Sequence, residues 1–235
     1  MTTGTPTSPM TRAESNALVL LTLGQVVLFL IPLVVLGQAI GWPASLRLPA
    51  AEALPLIRAQ AIFVQIGYWG YLLTAVAMVP FVIALRRYAS AHGASGLLVD
   101  TMAAFGVAAA VLKTLGIVRW LIGMPALANL YGTTTDAAIR AAIEVNYVAL
   151  NGYAGSVGEL LGVQLFSGLW LVLLGLVFRQ IGFRLHGVTG ALLGVGFALA
   201  SFRTIAPELG VLGAILPPLG LVWLLALAVT FWRKA

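Results

Sequence analysis

Residues 152–178 read GYAGSVGELLGVQLFSGLWLVLLGLVF, an almost unbroken apolar run with a single acid, Glu159, inside it. A run of more than about 18 such residues is long enough to cross a bilayer as a helix. An acid in that setting is costly, so it is expected to face protein or an internal cavity and not lipid. At helical spacing Gly152, Gly155, Glu159 and Gly162 share one face, and Gly158-x-x-x-Gly162 is a pattern that lets another backbone approach closely. The face carrying Glu159 is therefore expected to pack on a neighbouring helix.

Five further runs flank this one: Asn16–Ile40, Gln60–Leu85, Leu97–Ile122, Gly187–Ala206 and Gly210–Trp232. The chain of 235 residues is 61% hydrophobic and 9% charged, against about 25% charged in a soluble domain. These numbers predict an all-α protein: a six-span transmembrane helical bundle forming a single domain over 16–232. A flexible cytoplasmic tail is expected over 1–15 and a short one over 233–235. Pro32 should kink the first span. Tyr68, Trp69 and Tyr71 read as an aromatic belt on the second. Thr133–Asn151 is polar, with Thr135 able to cap it and Asp136, Arg140 and Glu144 at i, i+4, i+8. That pattern predicts a short outer surface helix before the fourth span, carrying an ion-pair stripe.

The formal charge is +6. Arg12, Arg86, Arg87, Arg179, Arg184, Arg233 and Lys234 fall on one side of the six spans, and Arg47, Arg58 and Arg140 on the other. The bias of Lys and Arg toward the cytoplasm then places both termini inside a bacterial inner membrane. The same bias accounts for the basic balance without a nucleic-acid partner. The absence of cysteine excludes disulfides, thiol nucleophiles and thiolate metal sites.

Charges within spans are the candidate site. Glu159 lies ~10 Å below the outer end of its span and Lys113 ~14 Å below that of its own, at about 1.5 Å rise per residue. Arg119 and Arg203 lie nearer the same surface, with Asn151 and Tyr153 just above. Each unpaired charge near mid-membrane costs roughly 2.5–3.5 kcal/mol, so pairing or hydration is expected. Two readings stay open. In one, Lys113 and Glu159 form an ion pair joining spans three and four while Arg119 and Arg203 snorkel outward. In the other, Lys113, Arg119, Asn151, Tyr153, Glu159 and Arg203 line a pocket for an anionic group.

Enzyme chemistry finds little support. His92 and His186 both fall in loops, away from the serines of the spans, and Asp100 has no second aspartate to form a protease pair. No phosphate loop, metal cluster or cofactor motif is present, so no cofactor is expected.

Two runs carry a family resemblance: Arg119-Trp120 with Pro125, Leu127-Ala128 and Tyr131, and Asn151–Gly155 with Gly158-Glu159 and Gly168–Trp170. Together they resemble an uncharacterised bacterial family of multi-span membrane proteins, the domain of unknown function 4386, over about residues 14–232. The resemblance implies a bacterial inner-membrane protein with no established activity. The residues favour a non-catalytic binding protein or complex subunit. Its partners would be membrane lipids, a small amphiphilic or anionic ligand, or a membrane protein. The alternative is a transporter or proton-coupled permease using Glu159 and Lys113.

Overall fold

The computed structural model describes residues 10–94 and 96–234. The expected tail lies outside these as far as residue 9. From Arg12 onward the chain is already helical, because Thr11 and Glu14 cap each other: the Glu14 carboxylate accepts from the Thr11 N–H at 2.7 Å, and the Glu14 N–H donates to the Thr11 hydroxyl at 3.2 Å. This reciprocal box satisfies N–H groups that a helix start leaves open.

The described residues form an all-α structure of α1 (Arg12–Ile40), α2 (Ala50–Ala59), α3 (Ala61–Ala91), α4 (Gly96–Leu121), α5 (Gly123–Thr133), α6 (Ala137–Gly155), a π-helical segment (Ser156–Phe166), α7 (Ser167–Gln180), α8 (Arg184–Ala200) and α9 (Leu212–Trp232), with short 3₁₀ turns between some of them. Six helical runs are long and apolar enough to cross a membrane.

The helix expected before the fourth span is α6, mostly exposed along its first turns, and it runs into the span without a break: Ala137–Gln180 is one continuous 44-residue helix. At about 1.5 Å per residue it reaches roughly 66 Å, about twice a hydrocarbon core of ~30 Å. Its first turns carry Arg140, Glu144 and Asn146 and bury little beyond Ile143 and Tyr147.

The chain divides into two compact units, and the divisions fall inside α1, α3, α4 and the π segment. One unit comprises Met1–Val26, Ala77–Ala110 and Val163–Ala235. Its core gathers Leu18, Phe81, Leu85, Trp170, Phe178 and Trp223. The α7–α8 hairpin turns at Gly182, whose φ of 86° favours glycine. The two helices then run in near backbone contact. A Cβ on Gly168 would sit 2.6 Å from the Ala198 nitrogen, and one on Gly194 would sit 2.6 Å from the Gly168 carbonyl oxygen. Arg86 pairs with Asp100 at 2.6 Å and Arg87 with Glu14 at 3.2 Å. His186 falls in the first turn of α8, not in a loop, with Nε2 2.8 Å from the Thr230 hydroxyl.

The other unit comprises Val27–Val76 and Val111–Gly162. Leu36, Leu54, Val64, Tyr68, Trp120, Met124 and Tyr147 are buried in its core. Pro49 opens α2, and Pro55 is accommodated within it while Ala50, Ala53, Leu54 and Ile57 turn inward. The helix packs on α5, where Arg58 donates to the Gly132 carbonyl at 2.8 Å. The start of α6 is capped by Asp136 and not by Thr135: the Asp136 carboxylate accepts from the Ala138 and Ile139 N–H groups at 2.8 and 3.3 Å. The expected ion-pair stripe therefore does not form. With Asp136 spent on the backbone, Arg140 donates to the Thr134 carbonyl and lies over the Tyr131 ring, and Glu144 accepts from the Tyr131 hydroxyl at 2.9 Å.

Candidate functional site

The end of α4 positions the site. Pro125 lies in the first turn of α5, where its missing N–H is tolerated, but it has no N–H to offer the carbonyl of Leu121. Gln65 of α3 supplies one instead, its side-chain amide donating to the Leu121 oxygen at 3.0 Å. Helix α4 thus stops at Leu121 with its last carbonyl satisfied, and Arg119 is held in the final turn.

Opposite runs the π segment, 11 residues long. Such i→i+5 geometry is rare, usually occupies a single turn, and concentrates at functional sites. Its glycines bring it against α4: a Cβ on Gly158 would be 2.9 Å from the Gly116 Cα, and one on Gly162 would be 2.8 Å from the Lys113 nitrogen. The close contact expected of Gly158-x-x-x-Gly162 is therefore made, and its partner is the Lys113–Gly116 stretch of α4. Gly152 does not share in it; nothing lies within 4 Å of where its Cβ would be.

Arg119 is the centre of the arrangement. Its Nη1 donates to the Gly116 carbonyl at 2.6 Å, its Nε donates to the Asn151 carbonyl oxygen at 3.3 Å, and its Nη2 lies 3.6 Å from Glu159 Oε1. The side chain of Arg119 is 5% exposed and that of Glu159 is 39% exposed. Of the two readings of Arg119, snorkelling does not occur, because a carbonyl, an amide and a carboxylate meet it inside the protein. Gly155 leaves room for the guanidinium, whose Nη2 would lie 3.2 Å from a Cβ there.

The expected site residues divide. Arg119, Asn151 and Glu159 come together. Lys113 is half-buried on the same helix, its backbone against Gly162. Tyr153 does not join, being 78% exposed. Arg203 belongs to the first unit, where its guanidinium donates to the side-chain oxygen of buried Gln164.

Two residues were missed. Tyr68, placed by its neighbours in an aromatic belt, is instead 1% exposed and stacked on Trp120, with centroids 4.7 Å apart and planes 6° from parallel. Its i, i±4 and i+7 relation to Val64, Leu72 and Ala75 was the available signal. Ser45 is buried in the loop between α1 and α2, and its hydroxyl has no hydrogen-bond partner; no sequence pattern marks it.

An all-helical fold with, among the described residues, six helices long and apolar enough to cross a membrane defines a multi-span membrane protein. The family described as Domain of unknown function (DUF4386) matches residues 19–232, and the chain belongs to that family. No curated protein and no solved structure matches it.

Proposed function

We propose that this protein is a non-catalytic binding protein for a lipid or small amphiphile with an anionic head, held in the outer half of a bacterial inner membrane with both termini cytoplasmic. Arg119, Glu159, Asn151 and Lys113 form the polar part of the site. The observation that carries this reading is the state of Arg119: a guanidinium removed from solvent, with two of its five N–H groups hydrogen-bonded and its ion partner at 3.6 Å. A buried cation with unspent donors complements an acceptor-rich group. The basic side chains beside the spans support the orientation.

The test is equilibrium binding of dodecyl phosphate to the whole chain purified in a nonionic detergent. Arg119→Gln is expected to weaken binding at least tenfold while the protein remains monodisperse. Equal binding by the two proteins overturns the proposal.

A second reading, transport, is favoured by the length of the π segment that carries Glu159, since i→i+5 turns can pass to i→i+4 and rotate the acid. Uptake into proteoliposomes that is lost in Glu159→Gln would select it.

A further inference from the structure

We infer that the end of the first unit, where α7 turns into α8 and α9 terminates, seats the phosphate of an anionic phospholipid. Arg179, Arg184, Arg233 and Lys234 are the cations around it, and Leu185 and Trp232 meet the lipid below its head group. The site is independent of the Arg119 centre, which belongs to the other unit.

An aromatic cluster joins these helix ends. After α7 the chain turns at Gly182, and the Phe183 N–H donates to the Phe178 carbonyl at 2.8 Å. The Phe183 ring is buried, with its centroid 6.3 Å from that of Phe231 near the end of α9 and 6.0 Å from that of Tyr88 near the end of α3. Lys234 reaches over this ring, its Nζ 4.1 Å from the centroid, an attraction of a cation for a ring face. Arg184 follows Phe183 directly and opens α8, Arg233 adjoins Lys234, and Arg179 lies in the last turn of α7; all three are exposed. The stem of Arg179 runs along α8, for a Cβ on Gly187 would lie 2.7 Å from Arg179 Cγ. Basic residues from three helix ends thus surround one buried ring, on backbone that the ring contacts hold in place.

The unit offers them no acid of its own. Glu14 and Asp100 are engaged by Arg87 and Arg86 at the end of α3, and Glu208 precedes the other end of α9. Among the described residues none of the four cations is paired with an acid. Like charges held close repel one another, and a phosphodiester, with a negative charge and oxygens that only accept, complements them. The neighbouring apolar side chains favour a lipid as its source over a dissolved ion. Leu185 is 74% exposed beside Arg184, and Trp232 is 72% exposed beside Arg233. An indole at the end of a span sits at head-group level, so the cations next to it meet lipid phosphates. A basic bias beside spans sets orientation wherever the cations lie; their gathering around Phe183 is what makes a seat.

The test is quenching of tryptophan fluorescence by brominated lipids in bilayers that hold the whole chain, with the Trp232 signal taken as the difference between wild type and Trp232→Phe. Brominated phosphatidylglycerol is expected to be preferred beside Trp232 over brominated phosphatidylcholine by about fivefold, the gain that a single basic residue near an anionic leaflet supplies. Replacing Arg184, Arg233 and Lys234 together by Gln is expected to abolish the preference, replacing Arg184 and Arg233 by Lys to keep it, and Arg140→Gln on α6 to leave it unchanged. High salt, applied to the wild type, is expected to remove it as well, since these cations are exposed; this arm needs no variant to fold. Equal quenching by the two lipids in the wild type overturns the assignment, as does a preference that survives in the triple variant or at high salt. If inorganic phosphate abolishes the preference where chloride at the same ionic strength does not, the cations take a dissolved anion and the lipid assignment fails.

Discussion

The guanidinium of Arg119 and the carboxylate of Glu159 meet at 3.6 Å with unequal access to the outside: the base is almost fully enclosed and the acid is partly open. The pair is therefore neither a surface ion pair nor a fully dry one. Its attraction is moderated by whatever medium reaches the acid, while Arg119 keeps its other bonds to Gly116 and Asn151.

That asymmetry predicts a lopsided double-mutant cycle. Arg119→Met removes the ion pair and two hydrogen bonds and leaves acceptors unpaired, a loss of about 3–5 kcal/mol by analogy with broken buried pairs. Glu159→Gln should cost clearly less. The coupling energy, from thermal stability in detergent, is expected on the order of 1 kcal/mol. Equal effects of the two single substitutions would contradict the geometry.

Contact between α4 and the π segment depends on two glycines. Gly158→Ala places a methyl 2.9 Å from the Gly116 Cα, where the backbone must move, and should destabilise by about 1–3 kcal/mol. Gly152→Ala, with open space around it, should be neutral or stabilising by up to ~1 kcal/mol. Melting temperatures that ranked the two the other way would show that the helices do not touch there.

The start of α6 offers a local test. Asp136→Ala removes the cap of two N–H groups and should cost about 0.5–2 kcal/mol, seen as faster amide exchange at Ala138 and Ile139. Thr135→Ala should leave exchange there unchanged. A similar effect from both would return the cap to Thr135.

Orientation is testable because the chain lacks cysteine. Arg140→Cys is expected to react with an impermeant reagent added to intact cells, and Arg184→Cys only after lysis. Reaction of both from the same side would exclude the six-span orientation.

Much of the architecture was legible in the sequence because membrane insertion depends on local quantities. A bilayer requires long apolar helices whatever their neighbours are, so the runs around Asn16–Ile40, Leu97–Ile122 and Gly152–Phe178 mark helices directly. The glycine spacing at 158 and 162 likewise identified a close contact, since only missing side chains permit one. Other features belonged to the tertiary structure. The choice of Asp136 over Thr135 as cap turns on one residue of register. A helix leading into the fourth span was legible in the polar stretch; that the two join without a break was not, because nothing in the sequence excludes a bend at Gly152. The environment of Arg119 was settled by the Gly116 carbonyl one turn back and by two partners remote in sequence, Asn151 on α6 and Glu159 on a backbone with i→i+5 bonds. A face drawn at 3.6 residues per turn misplaces side chains along such a segment. The apolar runs and small-residue spacing thus determined that helices cross and where they can approach. Which charge is enclosed, and by what, was decided by helix rotation and by the polar groups that packing brought to meet it.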